Sequence, residues 1–300
     1  MRAWLCGVLG LWGTLLAFPR GASACSCGVP GIDSALTGQS DTWGARVAER
    51  FQAVSGRWDS RGNYRALGRN GSETRYDLFA MLAYRPWPRL ELSSTFDYAR
   101  ASLVAGGLSE SLTGAGDAFL RSRFEALDEA PPHRDGFPMP ALAFTASVGA
   151  PTGRVASGES LGLGAWEAAV AGSAERSITS RLRVGATVEG GFRTPDDSLG
   201  VSRQLGPRLT TALVGWYWPS SSVVLSLSSR LTWEGGAAIA GRVQPGSETR
   251  QLGLGAGLAF RPFGSSFRSG FALQHVPALA RVGVNSAASS SLEISLAYTQ

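Results

Sequence analysis

The sequence predicts an all-β fold: a closed antiparallel transmembrane β-barrel of about 12 strands, with short periplasmic turns and long extracellular loops. Three observations carry this expectation. Segments of about ten residues alternate apolar and polar side chains, and a period of two means strand, because successive side chains point to opposite faces. Connections between segments alternate long and short, the outer-membrane pattern. No helical stripe separates them, so neighbouring strands are antiparallel. Strands of a soluble sandwich run ~5–6 residues, whereas a tilted strand of ~9–11 residues spans a bilayer. No four-stranded blade repeats, which removes a propeller. Without water in the bilayer core every backbone group must pair, so the sheet must close.

The segments follow in order. Thr42 to Val54 carries Trp43, Ala45, Val47, Phe51 and Ala53 on one side, with Arg46 and Arg50 on the other; Glu49 breaks the apolar side. Thr74 to Arg85 sets Tyr76, Leu78, Leu82 and Tyr84 against Arg75 and Asp77. Arg89 to Arg100 sets Leu90, Leu92, Phe96 and Tyr98 against Glu91 and Asp97. A hairpin from Gly114 to Arg154 supplies two more strands. Its first arm opposes Leu120 and Phe124 to Asp117, Arg121, Arg123 and Glu125; its second opposes Leu142, Phe144 and Val148 to small residues. In the sixth strand Trp166, Ala168 and Val170 oppose Glu167 and Glu175. In the seventh, Leu182, Val184, Val188 and Phe192 oppose Arg181, Arg183, Thr187 and Glu189. The eighth, Pro207 to Trp218, ends in Trp216-Tyr217-Trp218. The ninth points Leu225, Leu227 and Trp233 outward, with Ser228, Arg230 and Glu234 inward. The tenth opposes Leu252, Leu254 and Leu258 to Gly253, Gly255 and Gly257. Phe267 to Val276 is less regular, and the twelfth strand sets Leu292, Ile294 and Leu296 against Glu293.

The apolar parity is expected to face lipid and the charged parity the lumen. Aromatic residues cluster near both ends of the strands, as Trp and Tyr do at membrane interfaces. Tyr84, Trp87, Tyr217, Trp218 and Tyr298 sit near short turns; Phe96, Tyr98, Trp166, Phe192 and Trp233 sit near long loops.

Residues 1–24 read as a secretory signal peptide, with Arg2, an apolar run from Ala3 to Phe18 and the cleavage site Ala22-Ser23-Ala24. Residues 25–41 read as an N-terminal periplasmic segment or a plug, and residues 42–300 as the barrel. Cys25 and Cys27 open the mature chain. A lipid on Cys25 would favour Leu where Ala22 stands, and two oxidisable thiols is the plainer reading. All 28 basic residues are arginine. The formal charge of +5 falls to +3 once Arg2 and Arg20 are removed, and the arginines alternate with acids, which is no nucleic-acid footprint.

Two short motifs stand out: Gly-Ala-Gly-Asp at 114–117 before an arginine-bearing strand, and Ala-Pro-Thr-Gly at 150–153 closing the next. In this order and spacing they resemble the outer-membrane transporter family named for the meta-pathway of phenol degradation. The resemblance implies an outer-membrane barrel passing small, often hydrophobic, molecules, and it brings no catalytic residues. The chain departs from outer-membrane habit in its last strand, which finishes Tyr298-Thr299-Gln300 rather than on an aromatic residue.

The function expected is a channel or transporter for small solutes in the outer membrane of a Gram-negative bacterium. Its candidate pore-lining residues are the inward-parity arginines and carboxylates from Arg46 to Glu234 named above. Their alternative role is to pair across strands and fill a narrow interior. A structural or adhesive barrel without a conducting pore is the rival class, and an outer-membrane lipid hydrolase a third. For the hydrolase, His275 lies on outward parity near a loop end, but no serine lies two residues away, and His133 sits beside proline. No catalytic residue, cofactor or metal is expected. The partners expected are outer-membrane lipid, the barrel-assembly machinery and a small-molecule solute, with no nucleic acid.

Overall fold

The computed structural model describes residues 41–68, 71–105, 108–129, 139–153, 161–162, 164–196, 202–262, 266–279 and 283–300. The expected signal peptide, the segment 25–40 and His133 lie outside them. Seventeen strands follow one another: β1 (Trp43–Trp58), β2 (Tyr64–Ala66), β3 (Ser72–Trp87), β4 (Leu90–Ala105), β5 (Leu108–Ala115), β6 (Ala118–Leu127), β7 (Ala141–Ala150), β8 (Glu167–Thr179), β9 (Leu182–Arg193), β10 (Arg203–Gln204), β11 (Arg208–Ser220), β12 (Val223–Glu234), β13 (Ala238–Ile239), β14 (Arg242–Val243), β15 (Thr249–Phe260), β16 (Phe267–His275) and β17 (Ala287–Thr299).

Twelve of them form a ring in the order β1-β3-β4-β6-β7-β8-β9-β11-β12-β15-β16-β17, and β17 pairs back onto β1. Every pairing is antiparallel, and at the closing seam Arg50 faces Glu293 and Phe51 faces Leu292. The fold is therefore the closed barrel that the alternation predicts. The early strands are longer than ten residues: β1, β3 and β4 each run 16. The excess lies on the long-loop side, where β2 folds onto Gly56–Trp58 of β1 and β5 onto Tyr98–Ala105 of β4. The lower half of β4 pairs with β6 instead. Thus β5 and β6 share one position in the wall, broken at Gly116 and Asp117. A separate small sheet, β10-β13-β14, sits on the loops.

Burial runs opposite to that of a soluble protein. Leu82, Phe96, Leu120, Val170, Val188, Leu213, Leu227 and Leu296 are exposed on the outer wall, while Asp77, Glu91, Glu167 and Glu293 are buried inside. An apolar exterior with a charged interior suits a solvent that is hydrocarbon outside and polar within. Interfacial aromatics pack at the seam: Trp43 and Tyr298 lie 5.2 Å apart between ring centroids, and Phe267 and Tyr298 5.0 Å. One belt assignment needs correction. Trp218 packs with buried Trp216 and with Val224 on the inner face of β11 and β12, because even-numbered residues of these strands point inward.

Candidate functional site

The barrel interior is built from charged pairs that the strand register makes unavoidable. On β1 and β3, Arg50 stands opposite Asp77. Asp77 is fully buried and accepts from Arg50 Nε and Nη2 at 3.0 and 2.9 Å and from Arg75 Nε at 2.6 Å. Arg75 also reaches Asp97, at 3.4 Å. The Arg50 guanidinium lies 4.5 Å above the Phe79 ring, a cation–π contact. Across the seam Arg46 pairs with Glu293.

The opposite wall carries a second network. Glu167 accepts from Arg193 at 2.8 Å and from Arg208 at 2.7 Å; Arg208 bridges on to Glu189, and Arg193 to Glu234. Nearer the short turns, Glu175 lies 3.7 Å from both Arg123 and Arg183, and Arg85 lies 3.6 Å from Glu91 and 3.5 Å from Glu125. Glu129, just past β6, accepts from the Ser177 amide and hydroxyl and pairs with Arg183. Charge-assisted bonds of this kind are short and directional, so they fix the lining side chains in place.

Between the two walls lies a cavity of about 460 Å³. Its lining counts five arginines (Arg46, Arg50, Arg121, Arg208, Arg230) and three glutamates (Glu167, Glu189, Glu293). Phe79, Met81 and Phe119 make an apolar patch on the β3 and β6 side. Towards the short turns one wall is dry: Ala212, Val214 and Trp216 are buried together, and the Trp216 ring lies against Gly185, where a Cβ would come within 2.9 Å of it.

On the long-loop side Leu161 and Gly162, which follow β7 in the chain, lie against the inner wall and its break. Leu161 is 2% exposed and packs on Ala99, Ala101 and Leu112, the inner face of β4 and β5. Its carbonyl accepts from Arg75 at 3.5 Å. The two sequence motifs hold this segment. Thr152 Oγ1 donates to the Gly116 carbonyl at 2.8 Å and accepts the Ala118 N–H at 2.9 Å. Gly153 N–H donates to Asp117 Oδ1 at 2.9 Å. A Cβ on Gly162 would lie 2.3 Å from the same oxygen, and one on Gly116 would lie 2.5 Å from Asp97 Oδ2. The glycines are needed because the loop, the carboxylates and the strand break approach too closely for side chains.

The predicted residues divide into four groups. Arg46, Arg50, Arg121, Glu167, Glu189 and Arg230 line the cavity. Arg75, Asp77, Asp97, Arg123, Glu125, Arg183 and Glu234 belong to the surrounding networks. Asp117 is buried at the rim and anchors the loop rather than lining the cavity. Arg181 is a correction: it occupies the turn between β8 and β9 and is exposed, because the strand ends before the parity reaches it. Sequence reasoning missed Arg193, which ends β9 on the inward parity, and the inward apolar residues Phe79, Phe119 and Trp216. Continuing the odd-numbered parity of β9 by one step would have found Arg193. His275 also gains a neighbour: its Nδ1 lies 2.9 Å from Ser290 Oγ on β17. Among the described residues no carboxylate or amide is bonded to its other nitrogen.

The fold and this interior define a membrane-spanning β-barrel of the outer-membrane kind. No family model matches the chain, and no curated protein sequence matches it. Solved structures do. An outer membrane channel from Pseudomonas putida F1 is similar at 17% identity with a TM-score of 0.74, over 87% of this chain and 96% of that one. The NanC porin is similar at 8% identity and a TM-score of 0.52, over 85% of this chain and 100% of that one. The translocator domain of the autotransporter NalP from Neisseria meningitidis matches at 12% identity and 0.50, over 90% of each chain. At these identities the likeness is one of fold.

Proposed function

We propose that the protein is a channel that passes small solutes across the outer membrane of a Gram-negative bacterium, and that it is not an enzyme. The observation that supports this best is the cavity of about 460 Å³ enclosed by charged walls inside a closed barrel. A barrel whose interior were wholly packed would leave no such space. The meta-pathway transporter family remains the family reading, supported by the two motifs, which meet in space at Gly116, Asp117, Thr152 and Gly153. The fold match to an outer membrane channel from Pseudomonas putida F1 fits it.

Most lining charges are locally paired, so strong ion selectivity is not expected. Conductance of the purified protein in planar bilayers should be low, because the paired charges of the two walls and the packed Leu161 side chain narrow the interior. It should rise in Asp117→Ala, which removes the acceptor of the Gly153 N–H at the rim, and on deletion of residues 25–41. Silence of all three proteins would overturn the channel reading in favour of a structural or adhesive barrel. The hydrolase alternative rests on His275 and Ser290, and an imidazole without an orienting partner is a poor base. Phospholipid hydrolysis abolished by Ser290→Ala would establish it.

A further inference from the structure

Arg230 differs from the other arginines of the interior. It lines the cavity from the second half of β12, yet among the described residues its side chain makes no ion pair or hydrogen bond, and its Nε is buried without a partner. The register explains why. Its cross-strand neighbours are Ala212 on β11 and Gly253 on β15, and neither can accept a hydrogen bond through a side chain. The glutamates of the cavity are already engaged: Glu189 and Glu167 by Arg208, at 2.8 and 2.7 Å, and Glu293 by Arg46. A half-buried guanidinium whose Nε is cut off from solvent without a partner gains from a ligand that supplies paired acceptor oxygens.

The rest of the cavity narrows the ligand's chemistry. Arg50 is met by Asp77 behind it, so four arginines face three glutamates and the lining keeps one positive charge, which favours an anion. Phe79, Met81 and Phe119 on the β3 and β6 side offer an apolar surface. A Cβ on Gly253 would come no closer than 4.0 Å to any other atom, so space remains open beside Arg230.

We propose that the cavity is a solute-binding site for a small carboxylate with an apolar body, its carboxylate held in the fork of Arg230 and its body against Phe79 and Phe119. The proposal deepens the channel reading by naming the solute class, and it rests on that reading for its role in passage. Binding and conduction are therefore measured separately.

The probe is benzoate, titrated calorimetrically into the full-length protein in detergent, with acetate and benzamide as comparisons. Benzoate should bind at least ten-fold more tightly than either. Arg230→Gln should weaken benzoate at least ten-fold, and Arg181→Gln, in the exposed turn, should leave it unchanged. Gly253→Glu sets a competing carboxylate opposite Arg230 and should weaken benzoate as much without touching the arginine. It carries the test alone should Arg230→Gln fail to fold. Phe119→Ala should reduce the preference for benzoate over acetate. Equal binding of benzamide and benzoate, or full benzoate affinity in Gly253→Glu, would overturn the site. A protein that conducts KCl in bilayers but does not bind benzoate keeps the channel reading and loses this one. A protein that binds benzoate and never conducts keeps the site and loses the channel.

Discussion

Thr152 shows how much one hydroxyl can fix in this molecule. It satisfies the Gly116 carbonyl and the Ala118 N–H at the point where the wall breaks between β5 and β6. Thr152→Val keeps the shape and removes both bonds, so it should lower stability by about 1–3 kcal/mol, read as a lower urea midpoint in micelles. Breaking the Glu167 network costs more. Glu167 is buried between Arg193 and Arg208, and Glu167→Gln leaves those charges short of a partner. A loss of about 3–5 kcal/mol is expected from the same unfolding measurement, and an unchanged midpoint would mean that lumenal water already screens the pair. At this scale the sequence was legible wherever a strand kept its parity. Arg50, Asp77 and Glu167 follow directly from alternation. Arg181 did not, since parity says nothing about where a strand stops. Nor could alternation show that Arg230 is unpaired, because that depends on Ala212 and Gly253 from two other strands.

Each strand presents an apolar edge to lipid and a polar edge to the interior, and the penalty for reversing the two depends on depth. Val188 lies midway along β9 and is exposed on the outer wall. Val188→Arg should cost about 2–4 kcal/mol in unfolding measurements in lipid, and Val184→Arg, two residues from the turn, should cost less. Thr187→Arg points inward and should be milder than Val188→Arg. Equal costs at Val188 and Thr187 would mean the wall faces the other way. The elements hardest to foresee were those whose partners are remote. β5 reads as part of a loop because Leu108 to Ala115 is mostly small and polar; only its pairing with the top of β4 makes it a strand. Leu161 reads as loop for the same reason, and it is buried only because Ala99 and Ala101 leave room on the inner wall. The hairpin from Gly114 to Arg154 already brings the two motifs together, but alternation could not show that Thr152 bonds both sides of the break between β5 and β6.

As a whole, the molecule is a sheet with no free edge in its membrane wall. Such a barrel should resist dodecyl sulfate until heated, so unboiled and boiled samples should migrate differently on a gel, with β-type far-UV circular dichroism. Identical migration together with a helical spectrum would refute the fold. At the seam, the Thr42 and Trp43 amides both donate to the Gln300 carbonyl, at 2.6 and 3.1 Å, so the two ends of the wall touch. β1 and β17 are held in register like any other neighbours, from Gly44 with Thr299 to Arg57 with Ala287. Geometrically, then, the ring has no preferred place to be cut. A circular permutant that joins residue 300 to residue 42 through a short linker and opens the chain between Ser221 and Ser222 should refold to the same heat-modifiable barrel. Its new ends would leave from the same rim as the old ones, since β11 and β12 turn on the side where β1 begins and β17 finishes.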